Sequence, residues 1–316
     1  MARKGPGKAH RQGLTVIELF KMFPDDATAE QWFEEQRWPD GRFCPDCGST
    51  NTVAVKNRKP MPYRCRDCRG HFSVRKGTVM QSSKVGFQKW AIALYMMTTG
   101  LKGTSSMKVY RELGIRQGTA WFLMQRIREG FAEGSGKPFP GPVEVDETYF
   151  GGERRNMSKT KRKAMNKSRG PVGKTAVVGM KDRDSNEVRA EVVHRTDGAT
   201  LQGFVREHTE PGAAVYTDDA AAYRGMPEFD HEAVNHTVSE YVRGQAHTNG
   251  IESFWAMLKR AHKGTFHKIS PKHLDRYVNE FSGRHNVPDR DTVDQMAGLA
   301  RGMVGKRLTY RELVSE

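Results

Sequence analysis

At 316 residues, with 52 lysines and arginines against 37 acids, the chain carries a formal net charge of +15. That length accommodates two or three domains with a sizeable core, and that charge favours a polyanionic partner. No apolar run reaches the length of a membrane span, no signal-peptide core follows the basic start MARKGPGKAHRQG, and all four cysteines fall between residues 44 and 68, against the pattern of a disulfide-stapled secreted scaffold.

Residues 1–39 read as a basic arm followed by short amphipathic helices, with Leu14, Ile17, Phe20 and Phe23 at helical spacing and Trp32 and Phe33 behind them. Residues 40–80 are turn-rich and hold the cysteines. Residues 81–133 are helical in pattern: FQKWAIALYMMTTG ends at Gly100, and SSMKVYRELGI and TAWFLMQRIREGF flank a Gly-Ile-Arg-Gln-Gly break. GSGKPFPGP, residues 134–142, is a Gly/Pro linker and the clearest domain boundary. Beyond it PVEVDETYF, TAVVGMKD and EVRAEVVH read as strands and residues 199–208 as a helix. AAVYTD and HEAVNH read as strands, and residues 249–261 and 271–286 as helices. A basic insertion, residues 153–174, separates the first two strands and is expected to be disordered when free. The α/β domain then spans 143–290, and 291–316 is a C-terminal tail. Three strands, a helix, a strand, a small helix, a strand and a long helix fit a ribonuclease H-like fold better than a doubly wound dinucleotide fold. No Gly-rich phosphate loop is present.

Two CxxC pairs, Cys44–Cys47 and Cys65–Cys68, offer four thiolates for a tetrahedral, structural zinc ion. Gly48 and Gly70 follow them as knuckle turns require. The ribbon can serve DNA contact, protein contact or scaffolding; Arg64, Arg66 and Arg69, with His71 and Arg75 nearby, favour nucleic acid. Residues 104–131 have a helix-turn-helix pattern with the second helix starting near Gln117 to Thr119. Gln117, Thr119, Gln125, Arg126 and Arg128 would then face a groove or phosphates; the competing reading is a plain helical hairpin with Trp121, Met124 and Ile127 in its core. Lys161, Arg162 and Lys163 in the basic insertion are further candidate DNA contacts.

Three carboxylates carry the chemistry. Asp146 in VEVDETYFGG and Asp218 in AVYTDDAAAY each close a short apolar run, and Glu252 lies on the helix of HTNGIESFWAMLKR. Acids converging from two strands and a helix suit two Mg²⁺ ions about 4 Å apart, which cut and join phosphodiesters. Strand alternation puts Glu144 on the face of Asp146, and Asp219 competes with Asp218. Asn249, three residues before Glu252, is its rival as third ligand, and Lys259 shares that helix face to pin a phosphate.

These segments together resemble a bacterial and archaeal family of insertion-sequence transposases with an N-terminal zinc ribbon and an ISXO-type DDE catalytic domain. The resemblance rests on FPDDATAEQWFEEQRWPDGRFCPDCGS, YRCRDCRGHFSVRKGTVM, VEVDETYFGG, VYTDDAAAY and HTNGIESFWAMLKRAHKGTFH, and spans about residues 15–290. It implies a ribonuclease H-like domain using Mg²⁺ or Mn²⁺, and hydrolysis and strand transfer at the phosphodiesters of element ends. It also implies DNA as partner, at least a dimer at synapsis, and a cytoplasmic, nucleoid-associated site of action. Carried over, Asp146 and Asp218 match the first two acids, and Glu252 the third, followed by Lys259. The group also uses Asn as third ligand, so Asn249 stays in play; the spacing of about 34 residues from Asp218 favours Glu252. A DNA-binding regulator on an inactive catalytic domain, and a nuclease without strand transfer, are the alternatives.

Overall fold

The computed structural model describes residues 12–132, 136–152, 157–164, 173–218, 220–234, 247–287 and 289–315. The chain forms two compact units, one of residues 1–132 with 287–316 and one of residues 133–286. The basic arm at 1–11, Asp219 and most of the insertion at 153–174 lie outside the described residues.

The first unit begins with α1 (Val16–Met22) and α2 (Asp26–Arg37). A capping box fixes the start of α1: Thr15 Oγ1 accepts from Glu18 N at 3.2 Å, and Glu18 Oε2 accepts from Thr15 N at 2.8 Å. Asp25 caps α2 by accepting from Thr28 N at 2.7 Å. A three-stranded antiparallel ribbon follows, β1 (Thr52–Ala54), β2 (Tyr63–Cys65) and β3 (His71–Phe72). Then come α3 (Phe87–Thr99), α4 (Ser106–Leu113) and α5 (Gln117–Glu129). Gly114 ends α4 at φ +57°, a left-handed position that glycine takes at little cost. α4 and α5 are thus two helices joined by a short turn, with α5 starting at Gln117.

The second unit is built on β4 (Val143–Phe150), β5 (Thr175–Asp182), β6 (Val188–Val193), β7 (Ala214–Asp218) and β8 (Asp230–Val234), in spatial order β6-β5-β4-β7-β8. The first three strands pair antiparallel, and β7 and β8 run parallel to β4. Of the basic insertion, α6 (Lys159–Ala164) is described and is helical. The Gly/Pro linker is packed at its C-terminal end: Phe139 is buried, donates to the His208 carbonyl at 2.7 Å and accepts from Glu210 N at 2.8 Å.

α7 (Gly198–His208), α8 (Asn249–Ala261) and α9 (Leu274–His285) complete this unit. Pleat alternation divides the sheet into two faces. Val143, Val145, Val178 and Val215 pack with Leu201, Phe204 and Val205 of α7. Phe150 and Val177 pack with Ile251, Trp255 and Leu258 of α8 and with Val278 and Phe281 of α9. Glu144 and Asp146, alternating with Val143 and Val145, therefore face α8.

Residues 291–316 are not a tail. They form α10 (Thr292–Gly302) and α11 (Tyr310–Val314) and belong to the first unit. Met296, Leu299, Ala300 and Met303 are buried in the same core as Trp90, Leu94 and Met124. Their helical spacing is a core pattern that the polar residues around them obscured. Truncating Met296 to alanine should lower the unfolding free energy by about 2–5 kcal/mol, read as a shift of the urea midpoint at constant slope. Val314→Ala, at a position 46% exposed, should change it little.

Candidate active site and metal centre

The four cysteine sulfurs all lie within 4.8 Å of one another. Cys44 and Cys68 are 3.6 Å apart, and Cys47 and Cys65 3.7 Å. A tetrahedron with Zn–S bonds of about 2.3 Å has edges of about 3.8 Å, so the cage fits zinc and leaves no position open. The knuckles are pre-shaped by backbone. Gly48, at φ +75°, donates to the Cys44 carbonyl at 2.9 Å, and Cys65 N donates to the Gly70 carbonyl at 2.9 Å. Asp67 ties the knuckles together by accepting from Ser49 Oγ and from Asn51 Nδ2. The N–H of Cys68, foremost, lowers the Cys65 thiol to about 7, which prepares the thiolate that metal binding needs. Arg64, Arg66 and Arg69 are exposed on this ribbon.

In the second unit, Glu144 pairs in register with Tyr216 across the parallel β4–β7 junction. Two residues on along each strand, and so on the same face, stand Asp146 and Asp218. Asp146 lies opposite Gly179 of β5. A Cβ at Gly179 would sit 2.5 Å from the Trp255 ring, so this glycine lets α8 lie close over the sheet beside Asp146. Glu252 is exposed in the first turn of α8 and accepts from Thr248 Oγ1 at 3.2 Å. Asn249 and Lys259 are exposed on the same helix.

Burial first, then the charges of Glu147, Asp218 and Glu252, push the Asp146 carboxyl up to about 7. Asp146 thus carries a repulsion that a hard, oxygen-seeking divalent ion would relieve; among the described residues only the four cysteine sulfurs gather within 4.8 Å of one another as a metal-ligand group. Glu147, on the opposite pleat face, is raised chiefly by burial and accepts from the Tyr223 hydroxyl at 2.9 Å.

Sequence reasoning placed Glu144 beside Asp146 but did not find its partners. Its carboxylate is 2% exposed and holds the start of α8. Oε2 accepts from Gly250 N at 2.7 Å and Ile251 N at 3.0 Å; Oε1 accepts from Arg183 Nε at 2.8 Å and lies 3.2 Å from His247 Nδ1. Arg183 also donates to the His247 carbonyl at 2.7 Å and stacks over Tyr216 at 4.2 Å. A Cβ at Gly250 would meet the Glu144 carboxylate at 2.7 Å, which accounts for the glycine in TNGIES.

The candidate DNA contacts divide. Gln117 is exposed and Thr119 half-buried at the start of α5, and Arg162 and Lys163 are exposed on α6; the side chain of Lys161 lies outside the described residues. Gln125, Arg126 and Arg128 are buried, Arg128 to 1% exposure, so they do not present themselves to a DNA groove. The C-terminal segment covers this part of α5. Arg126 Nε donates to the Leu308 carbonyl at 3.1 Å, Phe122 meets Tyr310 edge-on, and Lys306 Nζ caps the Glu129 carbonyl at 2.8 Å.

A four-cysteine ribbon joined to an α/β unit with an acidic cluster at one sheet face defines a zinc-ribbon protein with a candidate metal-dependent site. Residues 24–71 match the transposase zinc-ribbon domain, and residues 138–286 match the ISXO2-like transposase domain. The chain thus carries both a transposase zinc ribbon and an ISXO2-like transposase domain, in that order. It is 28% identical to a protein in transposable element ISH50 of Halobacterium salinarum, over 84% of this chain and 93% of that protein. Among the described residues no helix is long and apolar enough to cross a membrane.

Two outcomes follow from the geometry. Glu144→Ala should lower stability by roughly 3–5 kcal/mol, because it leaves two N–H groups at the start of α8 without their acceptor and breaks the ion pair with Arg183. Hydrogen exchange should show selective loss of protection at Gly250 and Ile251, with Glu144→Gln intermediate. The raised Asp146 carboxyl sets a pH dependence in metal-free protein. Below pH 4 both folded and unfolded forms are protonated and the group contributes nothing. Between the unfolded value and about 7 the unfolded chain ionises first and stability falls, by up to about 4 kcal/mol above pH 7. Asp146→Asn should therefore raise the melting temperature of metal-free protein at pH 8 and leave it unchanged near pH 4.

Proposed function

We propose that this chain is a DNA transposase that hydrolyses phosphodiesters at the ends of its element and then transfers the freed strands to target DNA. The observation that carries this reading is the acidic cluster: Asp146 and Asp218 share one sheet face on adjacent parallel strands, and the charge of Glu252 on the covering helix reaches Asp146. The strand order β6-β5-β4-β7-β8, three antiparallel strands followed by two parallel to the first, supports a ribonuclease H-like catalytic domain.

In this reading Asp146, Asp218 and Glu252 hold Mg²⁺ or Mn²⁺, and the oxygen-only donor set fits both. When bound, the ions supply Lewis acidity and an activated water or 3′-hydroxyl. The chain's own residues do the positioning. Glu144 and Arg183 fix the start of α8 and so the aim of Glu252. Asn249, one helical turn earlier, is the weaker candidate because it brings no charge to Asp146. Lys259, about two turns beyond Glu252, contributes a phosphate contact. The ribbon zinc is structural. Arg64, Arg66, Arg69, Gln117, Thr119, Arg162 and Lys163 are the DNA contacts consistent with exposure, and Lys161 belongs to the same basic segment. Bringing two element ends together needs at least a dimer, acting on DNA in the cytoplasm.

The test is a supercoiled plasmid carrying the DNA that flanks this gene, incubated with Mg²⁺ or Mn²⁺. The wild type should cut at defined ends. Asp146→Ala, Asp218→Ala and Glu252→Ala should each lose at least about a thousandfold in rate, while Asn249→Ala stays active. Retarded complexes without any cutting under either metal would defeat the enzyme reading in favour of a DNA-binding regulator.

A further inference from the structure

The first unit contains a cleft of about 550 Å³ bordered by residues 82–90 and by the start of α5. Lys84, Lys89, Arg116 and Arg126 line it, and none of the described lining residues is acidic. Among the described residues no carboxylate forms an ion pair with any of these four cations. Asp26, which lies against Gly86 of the lining, is committed to the Gln88 N–H at 3.0 Å.

Arg126 is the unusual member. It is 8% exposed, its guanidinium lies 4.1 Å over the Phe122 ring, and it donates through Nε to a carbonyl. Burial and the neighbouring charges of Arg307 and Arg75 disfavour its cationic form. A buried guanidinium among cations, with no carboxylate beside it, is a costly arrangement that an anion would relieve. Arg116 is the residue at the start of α5, and no side chain caps that helix. Its first N–H groups add donors at the same edge. Phe122, Ile115 and Val85 supply an apolar wall, which a bare phosphate would not use, and the volume lies in the range of small-molecule sites.

We infer that this cleft holds one unstacked nucleotide of single-stranded DNA, its phosphate against Lys89, Arg116 and Arg126 and its base against the Phe122 wall. The inference rests on the transposase reading for the identity of the polymer, and it places a strand-end contact outside the acidic site. It also gives Arg126 a role that its burial denies it in a duplex groove.

The experiment uses the full zinc-loaded chain without Mg²⁺ or Mn²⁺. An oligonucleotide duplex with a single-stranded tail carries one 5-iododeoxyuridine in the tail and is photocrosslinked, and the joined peptide is sequenced. Crosslinks should fall within residues 82–90 or 115–126. By anisotropy, Lys89→Ala with Arg116→Ala should weaken tail binding about tenfold and lower the slope of log affinity against log salt by about 0.7 for each phosphate no longer neutralised. Phe122→Leu should weaken it at least about fivefold with the slope unchanged. Crosslinks elsewhere, or unchanged affinity and slope in the double variant, would overturn the inference. So would equal weakening of blunt duplex and tail with no effect of Phe122→Leu, which would mean a backbone phosphate site only. Plasmid cutting by the wild type without cleft crosslinks defeats the cleft alone; cleft crosslinks without cutting defeat the enzyme reading alone.

Discussion

One buried carboxylate organises the second unit. Glu144 sits in the middle of the sheet and commits both oxygens to groups belonging to other segments: two N–H groups at the start of α8, and Arg183 at the end of β5. A charge at 2% exposure is tolerable only when its partners are complete, and here they are also directional. The N–H groups of a helix start point along its axis, so a carboxylate that accepts two of them fixes where the axis begins and how it tilts. Glu252, one residue beyond Ile251, inherits that orientation. The position of Glu252 is therefore set on the strand that carries Asp146, which couples the two residues mechanically as well as electrostatically.

That coupling has an energetic cost. Burial and the charges of Glu147, Asp218 and Glu252 displace the carboxyl of Asp146 toward neutrality. A fold selected only for stability would separate them or pair them with arginines. The strongly basic chain has cations in abundance, yet Arg183 is directed to Glu144 and stacks on Tyr216. Glu144, the neighbouring buried acid, is neutralised internally. Two acids two residues apart on one strand thus have opposite fates, decided by which side chains reach them.

Much of this is legible in the sequence. The cysteine spacing dictates a local cage because each CxxC turn is closed by its own backbone. The strands TAVVGMKD and AVYTD and the helix from Asn249 to Ala261 announce themselves by period and by their ends. Other features are not legible, for a common reason: they depend on contacts distant in sequence. Arg126 and Arg128 look like the polar face of a recognition helix, since the stripe Leu123, Met124 and Ile127 accounts for one side only. The second covering of α5 comes from Leu308 and Tyr310, with 182 residues separating Arg126 from Leu308. No local period carries that information. The same holds for Glu144, whose partners lie 39 and 106 residues on. Strand alternation assigns its face, and only the fold supplies what it meets there.

The return of residues 287–316 to the first unit bears on how the two units are joined. The chain leaves the first unit after Ala132 and re-enters it at Val287, so the α/β unit is an insertion with two covalent connections rather than one. On the first connection Phe139 is packed, hydrogen-bonded on both sides to His208 and Glu210 at the end of α7. The apolar spacing of Met296, Leu299 and Met303 buries the C-terminal segment in the core of the first unit, so it is part of that unit's fold rather than an appendage to it.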